Sequence, residues 1–235
     1  MSLPSAGKLP SGTRLTVPRN LVAERLACRR GERMVFAGHS FRVPAGGALL
    51  LTGSNGSGKT SLLRILATLI MPVGGRLLWG ARPVAAEGAA YRAQLDFVGH
   101  QDGVKPSLTP RETLKFWTAL RATEKTRAPR LVEAALTVFA LDRVADWPCR
   151  WLSAGQRRRL ALARLVAAPA SIWLLDEPTS ALDQQNQSRL EGLIAEHRAS
   201  GGRVVVASHT PIDIGSAVIL TLDSFSPSPG YAAFG

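Results

Sequence analysis

At 235 residues, 46% of them hydrophobic, the chain can bury the core of one generous domain with a subdomain, which excludes a disordered or low-complexity protein. A formal charge of +12 asks for an anionic partner, whether nucleotide, nucleic acid or anionic lipid, but the basic residues are dispersed and none follows Arg203, which argues against a nucleic-acid-binding tail. No stretch reaches the ~18 uncharged apolar residues of a membrane span, because Arg64 and Pro72, or Arg164 and Pro169, break the best candidates.

Residues 1–20 are rich in Pro, Ser and Gly, carry Lys8, Arg14 and Arg19 without any acid, and read as a flexible N-terminal extension that lacks the apolar core of a secretory signal. Residues 21–27 and 34–43 alternate enough to form an antiparallel hairpin turned at Arg29-Arg30-Gly31-Glu32. Cys28 and Cys149 fit neither a C-x-x-C motif nor a disulfide framework, as expected of free thiols in a reducing compartment. The apolar run 48–51 reads as a buried parallel strand, 53–59 is too glycine-rich to be anything but a loop, and helical periodicity returns from Ser61.

Strand, loop and helix in that order are the setting a phosphate-binding loop requires. Gly53, Gly58, Lys59 and Thr60 satisfy G-x-x-x-x-G-K-[ST], with Ser54, Asn55, Gly56 and Ser57 between them and Ser61 following. Glycines let backbone N–H groups turn inward around an anion, and the helix presents its positive end to the phosphates. Lys59 would reach the β and γ phosphates, and the Thr60 hydroxyl would ligate Mg2+.

The helix is expected over 60–70, ending before Pro72, with a turn at 73–76, a strand at 77–79, loop and short helix at 81–93, and a strand at 95–98. Amphipathic stretches at 110–121 and 130–139 predict a mostly helical insertion between two halves of a sheet. Ser153 or a neighbour starts a further helix that stops at Pro169. The apolar runs 172–175 and 204–207 are typical of strands buried on both faces of a parallel sheet, with a helix over 184–198 between them. From residue 224 an uncharged tail with two prolines is expected to be loosely held. These alternations place the chain in the α/β class.

Asp176-Glu177, directly after the run 172–175, has the form of a Walker B: Asp176 would hold Mg2+ through water and Glu177 would polarise the attacking water. Leu152-Ser153-Ala154-Gly155-Gln156 opens a helix with small residues and a hydroxyl, an arrangement that could bind a phosphate or be an ordinary N-cap.

Together these stretches resemble the ATP-binding cassette (ABC) ATPases over about residues 21–222. By that resemblance Gln101 is the Q-loop glutamine, 152–156 the signature, Ser180-Ala181-Leu182-Asp183 the D-loop and His209 the switch histidine. The resemblance implies a P-loop NTPase fold within 21–223, with a RecA-like core, an antiparallel β subdomain and a helical subdomain at about 102–165. It implies ATP and Mg2+ as cofactors, with Gln101 joining Thr60 and Asp176 at the metal. It also implies an ATP-dependent homodimer in which Ser153, Ala154, Gly155 and Gln156 of one copy cover the nucleotide of the other and Asp183 links the sites. Two departures stand out: Ala154 replaces the family's usual glycine, and Arg30 falls where an aromatic ring commonly stacks on adenine. Arg30 could stack through its guanidinium plane or be a solvated turn residue.

Within the superfamily, Gly99-His100-Gln101-Asp102-Gly103-Val104-Lys105-Pro106-Ser107-Leu108-Thr109 and the Leu-Ser-Ala-Gly-Gln signature are similar to the haem exporter ATPases of cytochrome c biogenesis. That similarity implies integral membrane partners (CcmB and CcmC), a groove at 102–121 for them, and a peripheral position on the cytoplasmic face of the bacterial inner membrane. It implies haem export or release of a haem-loaded chaperone as the work coupled to ATP. No C-x-x-C-H is present and His39, His100, His197 and His209 are dispersed, so no haem site is expected on this chain. Another ABC importer or exporter subunit would share most of these motifs. A soluble nucleic-acid-associated ABC ATPase fits the charge but not the single P-loop and short chain, so no nucleic acid is expected.

Overall fold

The computed structural model describes residues 19–121 and 128–222; the N-terminal extension up to residue 18 and the tail from 224 lie outside the described residues. Strands β1 (Leu21–Arg30) and β2 (Arg33–Val43) form the expected hairpin with a tighter turn, so that Arg30 and Arg33 face each other as its last pair. The other edge of β1 takes β4 (Gly74–Trp79), which takes β5 (Arg82–Pro83), giving a four-stranded antiparallel sheet in the order β2-β1-β4-β5. Residues 74–76, expected as a turn, are strand. β1 bulges at Arg25, and a Cβ on Gly75 would lie 2.3 Å from the Arg25 carbonyl, so the glycine there makes room for the bulge instead of turning the chain.

A second, wholly parallel sheet is built from β3 (Ala48–Thr52), β6 (Leu95–Val98), β7 (Ile172–Asp176), β8 (Arg203–Ala207) and β9 (Val218–Thr221), in the order β6-β7-β8-β3-β9. Alternate side chains enter opposite cores. Trp173, Leu175, Val204 and Val206 face the helices α3 (Pro110–Arg121), α4 (Ala128–Val138), α5 (Ala154–Ala167) and α6 (Gln184–Ala199). Ile172, Leu174, Val205 and Ala207 face α1 (Lys59–Leu66), α2 (Gly88–Arg92) and the antiparallel sheet. Both faces are covered, which is why these strands read as unbroken apolar runs. The helical insertion is a single long crossover between the neighbours β6 and β7, and it is moored to β6 by Asp96, 2% exposed, which accepts from Arg164 of α5.

Helix α1 stops four residues short of the expected end. Thr68 takes φ +58°, and the N–H groups of Thr68 and Leu69 bond back to the carbonyls of Ile65 and Arg64, the pattern that normally needs glycine just past a helix. Strand β9 was not anticipated; Val218 and Ile219 are exposed at the sheet's edge, where an apolar run carries no alternation to mark it. Cys28 and Cys149 are buried and free, as the sequence suggested.

On the helical side, His197 stacks flat on Trp173, with ring centroids 3.8 Å apart and an interplanar angle of 4°, and Gly202 presses on the imidazole from another side. Burial pushes the His197 pKa down to about 4 from 6.5. Between those two values the unfolded chain takes a proton that the folded chain refuses, so stability falls as pH falls from about 6.5 to about 4 and rises again with pH. The loss over that window is expected to be about 3 kcal/mol. Urea unfolding of wild type and His197→Phe across it should show this slope in the wild type alone; parallel pH profiles would contradict the assignment.

Candidate active site

The phosphate loop, the two acids and His209 each leave the carboxyl end of a parallel strand, where open α/β sheets collect their ligands. After β3 the chain turns through Gly53 at φ +130°, where a Cβ would lie 2.1 Å from the Leu222 carbonyl, and enters α1 through Gly58 at φ +108°, packed on Val35 and Phe36. Neither place admits a side chain. Ser54, Asn55 and Gly56 are exposed on the loop, and Ser57 is buried. Lys59 is buried with its Nζ donating to the carbonyls of Gly53 (2.7 Å) and Ser54 (3.1 Å), so the loop is closed around the ammonium.

The Thr60 hydroxyl donates to Asp176 Oδ2 at 2.9 Å and lies 3.2 Å from Oδ1. A hydroxyl and a carboxylate meeting at a phosphate loop are hard oxygen donors, the set Mg2+ prefers, and the residues fit that ion. Asp176 is 2% exposed; burial raises its carboxyl pKa above the usual range, the Thr60 hydrogen bond opposes this, and the neighbouring Glu177 adds to it.

Glu177 follows with φ +48°, a conformation that costs a non-glycine residue on the order of 1–3 kcal/mol and that clusters at functional sites. Its N–H donates to the Ala207 carbonyl at the end of β8 (2.8 Å), and its Oε2 takes the His209 N–H (3.2 Å) and lies 2.8 Å from His209 Nδ1. His209 itself is 60% exposed, so the pair reaches solvent through the imidazole.

These groups border one cleft of about 490 Å3. Asn55, Gly56, Gly58, Lys59, Thr60 and Ser61 line it from the loop and α1, Asp176, Glu177 and His209 from the ends of β7 and β8, and Arg30, Arg33 and Val35 from the β1–β2 hairpin. Of the residues proposed for the metal, Thr60 and Asp176 come together. Gln101 is exposed and does not line the cleft, while its neighbour His100 does. Reading the residues did not single out His100, Arg33 or Val35; the Arg30–Arg33 pairing across the hairpin is the signal that would have found the second arginine.

The remaining expected residues lie outside the cleft. Ser153 caps α5 in a closed capping box: its Oγ accepts from the Gln156 N–H (3.2 Å) and its own N–H donates to Gln156 Oε1 (2.8 Å). Ser153 and Ala154 are exposed, and the Gly155 backbone meets the Ala181 carbonyl, so signature and D-loop touch within one chain. Asp183 is exposed and caps α6, accepting from the N–H and Nδ2 of Asn186, both at 2.8 Å. Beyond the cleft, the sequence reading also missed Arg158, 2% exposed beneath the Asp176–Glu177 turn. It is the middle of a run of three arginines, 157–159, that looks solvated, yet it shares a helix face with Leu162 and Leu165, and that spacing was readable.

A family model described as ABC transporter matches residues 36–180. Among curated proteins, the cytochrome c biogenesis ATP-binding export protein CcmA of Rhodospirillum rubrum is 53% identical over 92% of this chain and 91% of its own length. The protein of the same name from Paramagnetospirillum magneticum is 51% identical over 87% and 94%. A solved dimeric structure of the ATP-binding cassette MJ0796, in a post-hydrolysis state with ADP and Pi, shares the fold with a TM-score of 0.74 at 24% identity, covering 87% of this chain and 96% of that one. The cleft built from β3, β7 and β8 and these likenesses agree: the chain belongs to the ABC transporter family and, within it, to the cytochrome c biogenesis ATP-binding export proteins.

Proposed function

We propose that this chain is the ATP-hydrolysing subunit of a membrane transporter that serves cytochrome c biogenesis, coupling ATP hydrolysis to haem export or to release of a haem-loaded chaperone. The observation that carries the reading is the convergence of Lys59, Thr60, Asp176, Glu177 and His209 on one cleft. Loop N–H groups and the positive end of α1 hold the phosphates, while Lys59 exchanges its two carbonyl partners for β- and γ-phosphate oxygens. Thr60 and Asp176 would hold Mg2+, and Gln101 would join them only from outside the cleft it does not line here; the ion would neutralise charge building on the phosphate oxygens. Glu177 takes the proton of the attacking water, and His209 keeps the carboxylate turned into the cleft and meets the γ-phosphate. Arg30, at the position where the family commonly has an aromatic ring, lines the cleft beside Arg33, and its guanidinium plane would be available to the adenine of bound ATP.

Ser153, Ala154, Gly155, Gln156 and Asp183 are surface residues of the same chain but not of its cleft, which supports a head-to-tail homodimer that encloses ATP between copies. No helix among the described residues is long and apolar enough to cross a membrane. By its likeness to the export proteins of cytochrome c biogenesis, the chain would work as a peripheral subunit on the cytoplasmic face, beside integral subunits of the CcmB and CcmC kind. The exposed Phe116 and Leu120 of α3 supply apolar surface in the groove at 102–121. Co-expression with those membrane subunits should yield a complex that copurifies and hydrolyses ATP faster than this chain alone. Cells carrying Glu177→Gln should lose mature c-type cytochromes while other haem proteins persist. Normal cytochrome maturation in cells lacking the chain would end this reading.

A further inference from the structure

Of the four arginines in α5, only Arg158 is buried, and its guanidinium is placed where three consecutive carbonyls converge. Nη2 donates to the carbonyls of Asp176 (2.8 Å) and Glu177 (2.7 Å), and Nε to that of Pro178 (3.3 Å). Nη1 donates in the other direction, to the Gly99 carbonyl just past β6 (2.8 Å) and to Asp102 Oδ1 (3.3 Å). Successive carbonyls do not point the same way in an extended strand; the left-handed Glu177 turns them inward, where their dipoles would repel one another without a cation between them. A planar fork of fixed donors suits that task and an ammonium does not.

We propose that Arg158 is a positioning residue for Glu177: it holds the strained 176–178 turn in the one conformation that aims the carboxylate and its His209 partner into the cleft. The same guanidinium grips the segment 99–102 and is carried on the helix whose first turn bears Ser153 to Gln156. A displacement of either reaches the carboxylate through one side chain. Asp102 anchors the far side of the fork, and burial alone draws the guanidinium pKa down, with Asp102 the leading opposing influence. This rests on Glu177 being the base for ATP hydrolysis.

The test is steady-state ATPase and ATP binding for Arg158→Gln, Arg158→Lys and Asp102→Asn, each alone and combined with Glu177→Gln. Arg158→Gln is expected to lower kcat about 100-fold while KM for ATP stays within about threefold, Arg158→Lys to recover only part of the loss, and Asp102→Asn to lower kcat about fivefold. In the Glu177→Gln background, each should cost less than about threefold more, because the carboxylate they position is gone. Additive losses, or KM rising in step with falling kcat, would mark a merely structural residue and overturn the proposal. Should Arg158→Gln fail to fold, wild-type kcat in both Arg158→Lys and Asp102→Asn overturns it equally. If Glu177→Gln itself keeps wild-type turnover, the base assignment falls and takes this proposal with it; an inactive Glu177→Gln beside a fully active Arg158→Gln removes the proposal alone.

Discussion

Glu177→Gln should abolish nearly all ATP turnover, by about 100- to 10,000-fold, while ATP affinity stays close to wild type. The substitution keeps size and the contact to His209 but removes the only oxygen acid in the cleft that is not committed to the Thr60 hydroxyl. Oε2 is held by the His209 backbone and ring, so water entering the cleft meets the other oxygen, and an amide there cannot take its proton. Because the loop and α1, and not Glu177, would grip the phosphates, binding should survive. ATP-loaded variant should therefore accumulate as a dimer in size-exclusion chromatography, with turnover read separately by phosphate release. Wild-type turnover would show that another group serves as the base.

Lys59→Ala should weaken ATP binding about 100-fold, from two losses that act together. The charge-assisted bond to the phosphates disappears. The carbonyls of Gly53 and Ser54 also lose the buried donor that now holds them, so the loop is no longer shaped for an anion before ATP arrives. Lys59→Arg should recover little, since the longer planar group does not fit a buried point-charge position. Titration calorimetry with ATP checks the effect, and unchanged affinity would remove Lys59 from the binding site.

Much of this site was legible because its parts are short-range. A loop between strand and helix, or two acids after a buried run, states its geometry within ten residues, and the cleft gathers those parts at the ends of β3, β7 and β8. The central strands β7 and β8 of the parallel sheet were also plain, since burial on both faces leaves nothing polar in 172–175 or 204–207, whereas the exposed edge strand β9 was not. What escaped depends on contacts far along the chain. Thr68 performs a task usually given to glycine, so α1 was drawn too long. Gly75 serves the bulge at Arg25 some fifty residues earlier and so looked like a turn. Arg158 resembles its solvated neighbours until the helix face it occupies is set against Asp176 and Gly99.

Strand β3 lies between β8 and β9, so the segment that leads into the nucleotide loop finds both its neighbours only in the last fifth of the chain. Gly53 is walled by the carbonyl of Leu222, and the Leu222 N–H donates to Thr52. During synthesis the loop emerges well before β8 and β9 and has no sides to stand between until both have followed. A chain stopped short of β8 and β9 should therefore leave the loop without the walls that shape it for a phosphate.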